Sequence, residues 1–281
     1  MGDVVVAIDG GTESIRVAIV CASTGAVLAS AAGQYQTHTP HNGWAEQTPE
    51  EWWAALATAA SGCLEAAAAA SVATERIKAL SYVTTTCTLL PIGADGAPLC
   101  PALLWSDVRA GAQADRIFGL NHSAVQRVSS AGFSAEWMLA KALWLHDERP
   151  EIYASAARFV EYGDWMLEKL TGTVALSANT ATQRWLYDNS TDANLNETER
   201  WPLDLFASLG METLHEKLPP VLQVGDDAGG SGLTADAATA LGLPAGISVF
   251  VGGGDAFVGL LGMGVSAAGE FGLMTGSSCE R

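Results

Sequence analysis

The stretch VVVAIDGGTESIRVAIV, residues 4–20, decides the fold of this chain. It holds two apolar runs rich in β-branched residues, which predict strands over Val4–Ile8 and Ile15–Val20. The residues between them, Asp9 to Glu13, include the Asp-Gly pair that is typical of a hairpin turn. Such a turn can also bind phosphate, because backbone N–H groups approach an anion closely where there is no Cβ atom. Neither G-x-G-x-x-G nor G-x-x-x-x-G-K-[ST] occurs in this stretch, so it does not predict a dinucleotide fold or a P-loop.

The composition of the whole chain excludes several classes of partner. Its 281 residues include 14 Lys+Arg and 31 Asp+Glu, which gives a formal net charge of −17. A surface that acidic repels nucleic acid and anionic membranes, so we expect neither as a partner. The five cysteines form no C-x-x-C pair. With no signal-peptide pattern at the N-terminus, we expect free thiols and a cytoplasmic protein.

The rest of the chain reads as a mixed α/β pattern. A third strand is predicted over Val27–Tyr35, followed by a helix with Thr48 as N-cap and Glu51 completing a capping box. The segment Ile77–Thr85 predicts a further strand. Helices are expected from about Val108 to Phe118, and across SAEWMLAKALWLHDER up to the break before Pro150. Near the end, TADAATALGLP predicts a helix capped by Thr234, and ISVFVGGGD predicts a buried strand.

Several stretches in the same order resemble the FGGY family of carbohydrate kinases, within the actin-like superfamily. They cover most of the chain: DGGTESIRVAIV, GWAEQTPEEWW, PALLWSDVRA, RFVEYGDWMLEKLTG and GGGDAFVGLLGMG. The resemblance implies an α/β, actin-like (ribonuclease H-like) ATPase fold, with a mixed five-stranded sheet flanked by helices. The last two stretches fit xylulokinases, whereas TTCTLLPIGADGAPL and SAEWMLAKAL lean toward ribulokinases. The implied activity is transfer of the γ-phosphate of ATP to a hydroxyl of a ketopentose, with ATP and Mg²⁺ as cofactors.

The resemblance also implies a domain organisation. Residues 1–245 are expected to form an N-terminal, sugar-binding actin-like domain, and 246–281 the beginning of a C-terminal, nucleotide-binding domain that is truncated. We therefore expect the 281-residue chain alone to bind sugar weakly and to turn over ATP poorly or not at all. The expected partner is a small-molecule sugar, and a homodimer is left open.

On the phosphate side, the resemblance assigns Asp9 to a magnesium ion and the rest of its turn to the phosphates. A carboxylate together with phosphate oxygens is a ligand set that magnesium favours. The residues expected to contact ATP are Asp9, Gly10, Gly11 and Thr12, with Thr275, Gly276 and Ser277 as a second phosphate loop. The alternative for the first group is an ordinary hairpin turn.

Asp255 is the strongest catalytic candidate. It follows a predicted buried strand and three glycines, and the resemblance places the family's catalytic base at this position. As a base it would accept the proton of the sugar hydroxyl while that oxygen attacks the γ-phosphate. The alternative is an N-cap at the start of a helix, and both roles are compatible.

Candidate sugar contacts follow the strand at Ile77–Thr85. Ligands of open α/β sheets gather at the carboxyl ends of strands, where this chain has Thr84, Thr85 and Thr86. Xylulokinases carry Met-His-Gly at these positions, so the threonines depart from the xylulokinase pattern. A threonine-rich strand end is the alternative.

Further sugar-side candidates come from LLWSDVR and SAEW. Trp105 could stack on a sugar ring beside Asp107 and Arg109; a core tryptophan with an Asp–Arg pair at the surface is the alternative. Glu136 matches a sugar-binding position of related kinases, and a helix-start glutamate is its alternative.

Two other functions are compatible with the sequence. One is an actin-like, nucleotide-dependent binding module such as a chaperone ATPase domain. The other is a non-catalytic sugar-binding regulator.

Overall fold

The computed structural model describes residues 2–192, 194–230, 232–275 and 279–280. The strands are β1 (Val4–Gly10), β2 (Ser14–Cys21), β3 (Val27–Gln34), β4 (Glu46–Gln47), β5 (Ile77–Thr84), β6 (Leu90–Ile92), β7 (Ala102–Leu103), β8 (Arg158–Val160), β9 (Leu176–Ser177), β10 (Val221–Leu222), β11 (Ser248–Gly254), β12 (Met274–Thr275) and β13 (Cys279–Glu280). The helices are α1 (Pro49–Ala69), α2 (Gly111–Gly119), α3 (Ser123–Val128), α4 (Met138–Glu148), α5 (Pro150–Ser155), α6 (Tyr162–Thr171), α7 (Ala178–Arg184), α8 (Leu203–Ser208), α9 (Ala235–Leu241) and α10 (Asp255–Gly262).

The central layer is a five-stranded mixed sheet in the order β11-β5-β1-β2-β3. Strands β1, β2 and β3 form the predicted antiparallel meander. Strands β5 and β11 are both parallel to β1, so their carboxyl ends meet at one edge. The predicted actin-like sheet is therefore confirmed in strand number and in its mixed character.

Strand β11 completes the central sheet. Its residues 248–254, which follow the boundary expected after residue 245, are hydrogen-bonded to β5 within the same sheet. Helix α10 then packs on β11 and β5. The first structural unit of the chain therefore includes the strand and helix that carry Asp255.

Helix α1 covers one face of the sheet. Its apolar stripe, which includes Trp52 and Leu56, is buried against β2 and β3. The approach is close enough that a Cβ atom at Gly33 would lie 2.1 Å from the Ala55 carbonyl oxygen. Thr48 is the N-cap residue, as predicted, but its side chain makes no capping hydrogen bond. The predicted capping box is therefore wrong, although the helix begins where expected.

The opposite face of the sheet is only partly covered. Helix α10 lies over part of it, and beside the helix remains a groove of about 490 Å³ lined by small and apolar side chains such as Ala7, Ala18 and Val258. The apolar side chains of Leu261 and Phe271 are 60% and 70% exposed. Exposed apolar side chains therefore also occur near the end of α10 and after it.

Two helices begin later than the sequence indicates. The helix expected from Val108 begins at Gly111, because Asp107 Oδ1 accepts the Arg109 N–H in a local turn. The helix expected across SAEWM begins at Met138, because Ser134 Oγ accepts the Glu136 N–H. In both segments a side chain competes with the helix for a backbone donor.

Candidate active site

The candidate site lies at the carboxyl edge of β1, β5 and β11. Gly10 pairs with Thr84, and Thr84 pairs with Gly254, so these three residues are aligned across the sheet. Asp9 directly precedes Gly10, and Asp255 directly follows Gly254. Since neighbouring strands are about 4.8 Å apart, the backbones that carry the two aspartates are separated by about 10 Å. The register therefore brings both predicted carboxylates to one edge of the sheet.

The turn between β1 and β2 spans residues 11–13. The Gly11 N–H donates to the Ser14 carbonyl oxygen at 3.0 Å, so this predicted phosphate donor is occupied within the turn. Among the described residues, no hydrogen bond uses the N–H groups of Thr12 and Glu13. The free donors at the tip of the turn are therefore that of Thr12, which was among the predicted contacts, and that of Glu13, which was not.

Asp9 is partly exposed and paired with a cation that the sequence analysis missed. Arg16 Nη1 lies 3.0 Å from Asp9 Oδ2, with the two side chains 60% and 42% exposed. The signal was available, because Arg16 is directly opposite Asp9 in the hairpin register. A cation beside the free N–H groups of the turn suits a phosphate.

The donor set at Asp9 fits magnesium only together with a substrate. Among the described residues, no group of three or more His, Cys, Asp or Glu side chains could hold a metal ion. Mg²⁺ is usually bound through one or two carboxylates plus phosphate oxygens and water, so a single exposed carboxylate at a phosphate-binding turn is sufficient.

Asp255 is the first residue of α10 rather than its N-cap, which is Gly254. Its Oδ1 accepts the Ala256 N–H at 2.8 Å. The Gly254 N–H is held by Asn179 Oδ1 at 2.9 Å. A Cβ atom at position 254 would lie 2.3 Å from the Thr86 methyl carbon, so only glycine fits. Asn179 and the glycine therefore fix the backbone that presents Asp255.

The three threonines after β5 have different surroundings. Thr84 is 4% exposed, and its Oγ1 is directed toward Gly163 of α6, beside a small cavity of about 10 Å³. Helix α6 covers this side chain, which favours the alternative of a threonine-rich strand end over an open sugar contact. The Thr85 N–H donates to the Gly10 carbonyl oxygen at 2.9 Å, which ties β5 to the turn. Thr86 is half-buried and lies against Gly254, next to Asp255.

Asp107 and Arg109 form an internal ion pair instead of a sugar-binding face. Asp107 is fully buried; its Oδ2 accepts the Ala45 N–H at 2.8 Å and lies 2.7 Å from Arg109 Nη2. Arg109 also pairs with Glu46 at 2.7 Å, and its guanidinium lies 3.6 Å from the centre of the Trp44 ring. These contacts occupy both side chains, which favours the alternative of an Asp–Arg pair, although the pair is buried rather than at the surface.

Trp105 and Glu136 remain close to open surface. The half-buried Trp105 donates its indole N–H to Thr12 Oγ1 at 3.2 Å, which places this ring against the hairpin turn. Glu136 is half-buried in the turn before Met138. Glu136 therefore lies two residues before the start of α4, so the alternative of a helix-start glutamate is wrong.

The sequence model of the N-terminal domain of the FGGY family of carbohydrate kinases matches residues 4–262. The chain belongs to this family. The match covers the hairpin, the sheet and α10, so the register that aligns Asp9 and Asp255 belongs to the FGGY N-terminal domain.

Named relatives and solved structures agree with this membership. The chain is similar to a ribulokinase of Shouchella clausii, 29% identical over 97% of this chain and 52% of that protein. It is also similar to a xylulose kinase of Streptomyces coelicolor, 32% identical over 94% of this chain and 51% of that protein. The crystal structure of xylulose kinase from Rhodospirillum rubrum has the same fold, with a TM-score of 0.79, 22% identity and coverage of 95% of this chain and 52% of that one. The chain thus spans about half the length of the curated relatives that it matches.

Arg184 of this FGGY domain is a second cation that the sequence analysis missed. Its Nε is buried and has no hydrogen-bond partner among the described residues. Its guanidinium carbon lies 5.5 Å from the centre of the Trp137 ring, next to Glu136. Arg184 shares α7 with Asn179, which holds the backbone before Asp255. An unpaired cation above an aromatic ring can bind the hydroxyls of a sugar, and a lone Arg in a polar helix gave little signal in the sequence.

Buried charges fix the turn that carries Thr86. The Cys87 N–H donates to Glu161 Oε2 at 2.8 Å, and its carbonyl oxygen accepts from Lys141 Nζ at 2.6 Å. Burial raises the pKa of Glu161 to about 8, helped by the charge of Asp164, and it lowers the pKa of Lys141 to about 8. Cys87 itself has a φ of 63°, in the left-handed region, so this turn is held in a strained conformation.

The predicted second phosphate loop is only partly described. Thr275 belongs to β12, whereas Gly276 and Ser277 lie outside the described residues.

Within the part of the chain that the structure describes, no helix has the length and apolar character needed to cross a bilayer.

Proposed function

We propose that this chain forms the sugar-binding part of an ATP-dependent carbohydrate kinase, which transfers the γ-phosphate of ATP to a hydroxyl of a ketopentose of the xylulose or ribulose type. The single observation that carries the proposal is the register that aligns Gly10, Thr84 and Gly254. It leaves Asp9 and Asp255 at one edge of the sheet, separated by the single strand β5. A phosphate-binding turn and a proton acceptor at this separation suit in-line transfer to an alcohol.

The turn would hold the phosphate groups. The free N–H groups of Thr12 and Glu13 would donate to phosphate oxygens, and Arg16 would neutralise part of their charge. Asp9 would bind Mg²⁺, directly or through water, in place of its contact with Arg16. A bound magnesium ion supplies charge neutralisation for the transferring phosphoryl group.

Asp255 would act as the general base. Its backbone is fixed by Asn179 and by the close packing of Gly254, so the carboxylate is presented in one orientation. It would accept the proton of the sugar hydroxyl as that oxygen attacks phosphorus. The first turn of a helix also stabilises the negative charge of the carboxylate before the proton arrives.

The sugar would lie between Asp255 and the residues around α7. Thr86, Glu136 and Arg184 offer a hydroxyl, a carboxylate and an unpaired cation, while Trp105 and Trp137 offer aromatic faces. A ketopentose is favoured because both the ribulokinase and the xylulose kinase named above are pentulose kinases by name.

We further propose that the nucleotide-binding domain of the whole kinase begins after α10, since α10 still packs on the first sheet. Thr275, Gly276 and Ser277 would then belong to the second phosphate loop, on the side of the adenosine. A cytoplasmic location and a homodimer are parts of the same proposal.

The test joins this chain to the half of the Streptomyces coelicolor xylulose kinase that it does not cover, and measures ADP formation with xylulose, ribulose, xylitol and glycerol. We expect ADP formation that depends on a ketopentose. Asp255→Asn should lower kcat by about 10²- to 10⁴-fold, with little change in sugar affinity measured by calorimetry. The matched control is Asp236→Asn, because Asp236 is an exposed aspartate in the first turn of α9.

Each alternative function has its own outcome in this assay. ADP formation independent of sugar would favour a nucleotide-dependent binding module. Sugar binding without ADP formation, in a chimera that binds ATP, would favour a regulator. Near-normal turnover by Asp255→Asn would show that Asp255 only shapes the start of α10.

A further inference from the structure

The two free N–H groups of the turn belong to peptide groups whose carbonyl oxygens are both held. The Thr12 N–H shares a peptide group with the Gly11 carbonyl, which accepts a hydrogen bond from the Tyr35 hydroxyl. The Glu13 N–H shares a peptide group with the Thr12 carbonyl, which accepts from Gln47 Nε2 at 2.6 Å. Both peptide bonds are trans. In a trans peptide the C=O and N–H bonds point in opposite directions, so holding each oxygen on the protein side turns each N–H away from it.

The orientation of the Gln47 amide is itself fixed. The indole N–H of Trp52 can only donate, and it lies 2.8 Å from Gln47 Oε1. The amide NH₂ group must therefore face its two acceptors, the Thr12 carbonyl oxygen and Thr37 Oγ1, the latter at 2.9 Å. Gln47 is 3% exposed, so water does not compete for these bonds.

Tyr35 is held as firmly as Gln47. It is 6% exposed, and its hydroxyl also lies 3.3 Å from the Ser14 carbonyl oxygen. Burial raises the pKa of Tyr35 to about 12. Its hydroxyl therefore remains a hydrogen-bond donor throughout the neutral pH range.

A packed aromatic layer lies beneath the turn. Trp52 stacks on Tyr162 with 3.9 Å between ring centres, and a Cβ atom at Gly10 would lie 2.9 Å from the Tyr162 ring. Trp52 is fully buried in α1. The layer therefore connects the turn to α1 and α6.

We propose that Tyr35 and Gln47 are positioning residues, each of which orients one peptide group of the turn so that the Thr12 and Glu13 N–H groups face a phosphate. The role in phosphate binding rests on the proposed function above. The orienting role rests on the geometry alone. The specific consequence of this geometry is that Tyr35 orients the Thr12 N–H and Gln47 orients the Glu13 N–H.

The test records amide NMR signals and proton-exchange rates of Thr12 and Glu13 in the 281-residue protein. The variants are Tyr35→Phe and Gln47→Glu, with Gln47→Met as a second substitution in case a buried acid unfolds the protein. Gln47→Glu keeps the acceptor for Trp52 and has no donor when its carboxyl is ionised, and Gln47→Met removes the donor at every pH. The matched control is Thr37→Val, which removes the other acceptor of the Gln47 amide and does not touch the turn.

We expect a crossed pattern. Tyr35→Phe should change the NMR signal and exchange rate of the Thr12 amide more than those of the Glu13 amide. Gln47→Glu or Gln47→Met should affect the Glu13 amide more than the Thr12 amide. Thr37→Val should change neither amide. With magnesium pyrophosphate as the probe, the dissociation constant should rise about fivefold for each positioning variant and not for the control, as expected for one misaligned hydrogen bond.

Two results would overturn the assignment: amides that do not change in either positioning variant, or the same change in Thr37→Val. A separate result bears on the proposed function. If pyrophosphate shifts neither amide in the unsubstituted protein, the turn is not a phosphate site, whereas the orienting role of the two side chains is still decided by the amide pattern.

Discussion

Gly252 shows how much a single residue controls at this edge of the sheet. A Cβ atom at position 252 would lie 1.8 Å from the Tyr82 carbonyl oxygen of β5. The carbonyl oxygen of Gly252 accepts a hydrogen bond from Ser177 Oγ at 2.7 Å. Strand β11 can therefore approach β5 only because residue 252 has no side chain, and Asp255 follows three residues later.

The first prediction concerns this glycine. Gly252→Ala should lower the free energy of unfolding by about 3 kcal/mol, because a methyl group forced against backbone must push two strands apart. Chemical denaturation with circular dichroism measures the change. Gly262→Ala is the control, since a Cβ atom there meets no atom within 4 Å. Equal stability of the two variants would contradict the close approach of β11 and β5.

At the residue scale, the sequence predicts local features better than distant contacts. Asp9 and Asp255 were singled out from local motifs at the ends of two strands, and their roles remain predictions. Asp107 and Arg109 were assigned to a sugar face, but Glu46 and Trp44, about 60 residues earlier in the chain, cover them. A motif of a few residues does not reveal which distant segment packs on it.

At the element scale, the start of α6 combines two buried acids. Glu161 is the N-cap and Asp164 the third helical residue, and they form a capping box. Burial raises the pKa of Glu161 to about 8 and that of Asp164 to about 7. Both carboxyls have ordinary pKa values of about 4 in an unfolded chain.

The second prediction follows from these pKa values. Between about pH 4 and pH 8 the folded protein holds protons that the unfolded chain has lost, so this helix start should lower stability as pH rises through that range. Glu161→Gln should flatten this part of the stability profile, measured as denaturation midpoints from pH 5 to pH 8. Glu50→Gln is the control, because Glu50 is an exposed acid in the first turn of α1. An unchanged slope in Glu161→Gln would show that Glu161 is ionised in the folded state.

Helix starts also show what the sequence does and does not predict about elements. Thr234 caps α9 as predicted, and its hydroxyl accepts the Ala237 N–H at 3.3 Å. Thr48 occupies the same kind of position before α1 without that bond. The residue type marks where a helix begins, but the rotamer that closes the bond depends on surrounding side chains.

At the scale of the whole molecule, a strongly acidic surface carries one apolar region. The net charge is −17, while Leu261, Met263, Phe271 and Leu273 are each at least half exposed. Repulsion between copies opposes association through this region at low salt. Contiguous exposed apolar surface favours it once the charges are screened.

The third prediction is that association of the 281-residue protein increases with salt. The screening length falls from about 10 Å at 0.1 M to about 3 Å at 1 M, so sedimentation velocity should detect larger species at 1 M sodium chloride. Leu261→Asn with Phe271→Ser should abolish the increase, whereas Val174→Ser, at a 38% exposed valine elsewhere, should not. The same salt response in all three proteins would mean that another surface associates.

The overall fold was predictable because the strand pairs in its first half join segments that are adjacent in sequence. Hairpin turns and helical periodicity define β1 to α1, and the family motifs predict the remaining order. The place of β11 in the sheet was not predictable from composition, since the strand pairs with β5 and its own residues carry no signal of that distant partner.

That pairing has a consequence for how the protein acquires its site. Strand β5 pairs with β11 across a sequence separation of more than 160 residues, whereas β1 pairs with the adjacent β2. Contacts between distant segments form slowly, because the intervening chain must first lose its freedom. During synthesis, the hairpin is complete long before the ribosome has made residue 255. A nascent chain therefore forms the turn after Asp9 early and the strand end before Asp255 late, and a product released before β11 would have the first without the second.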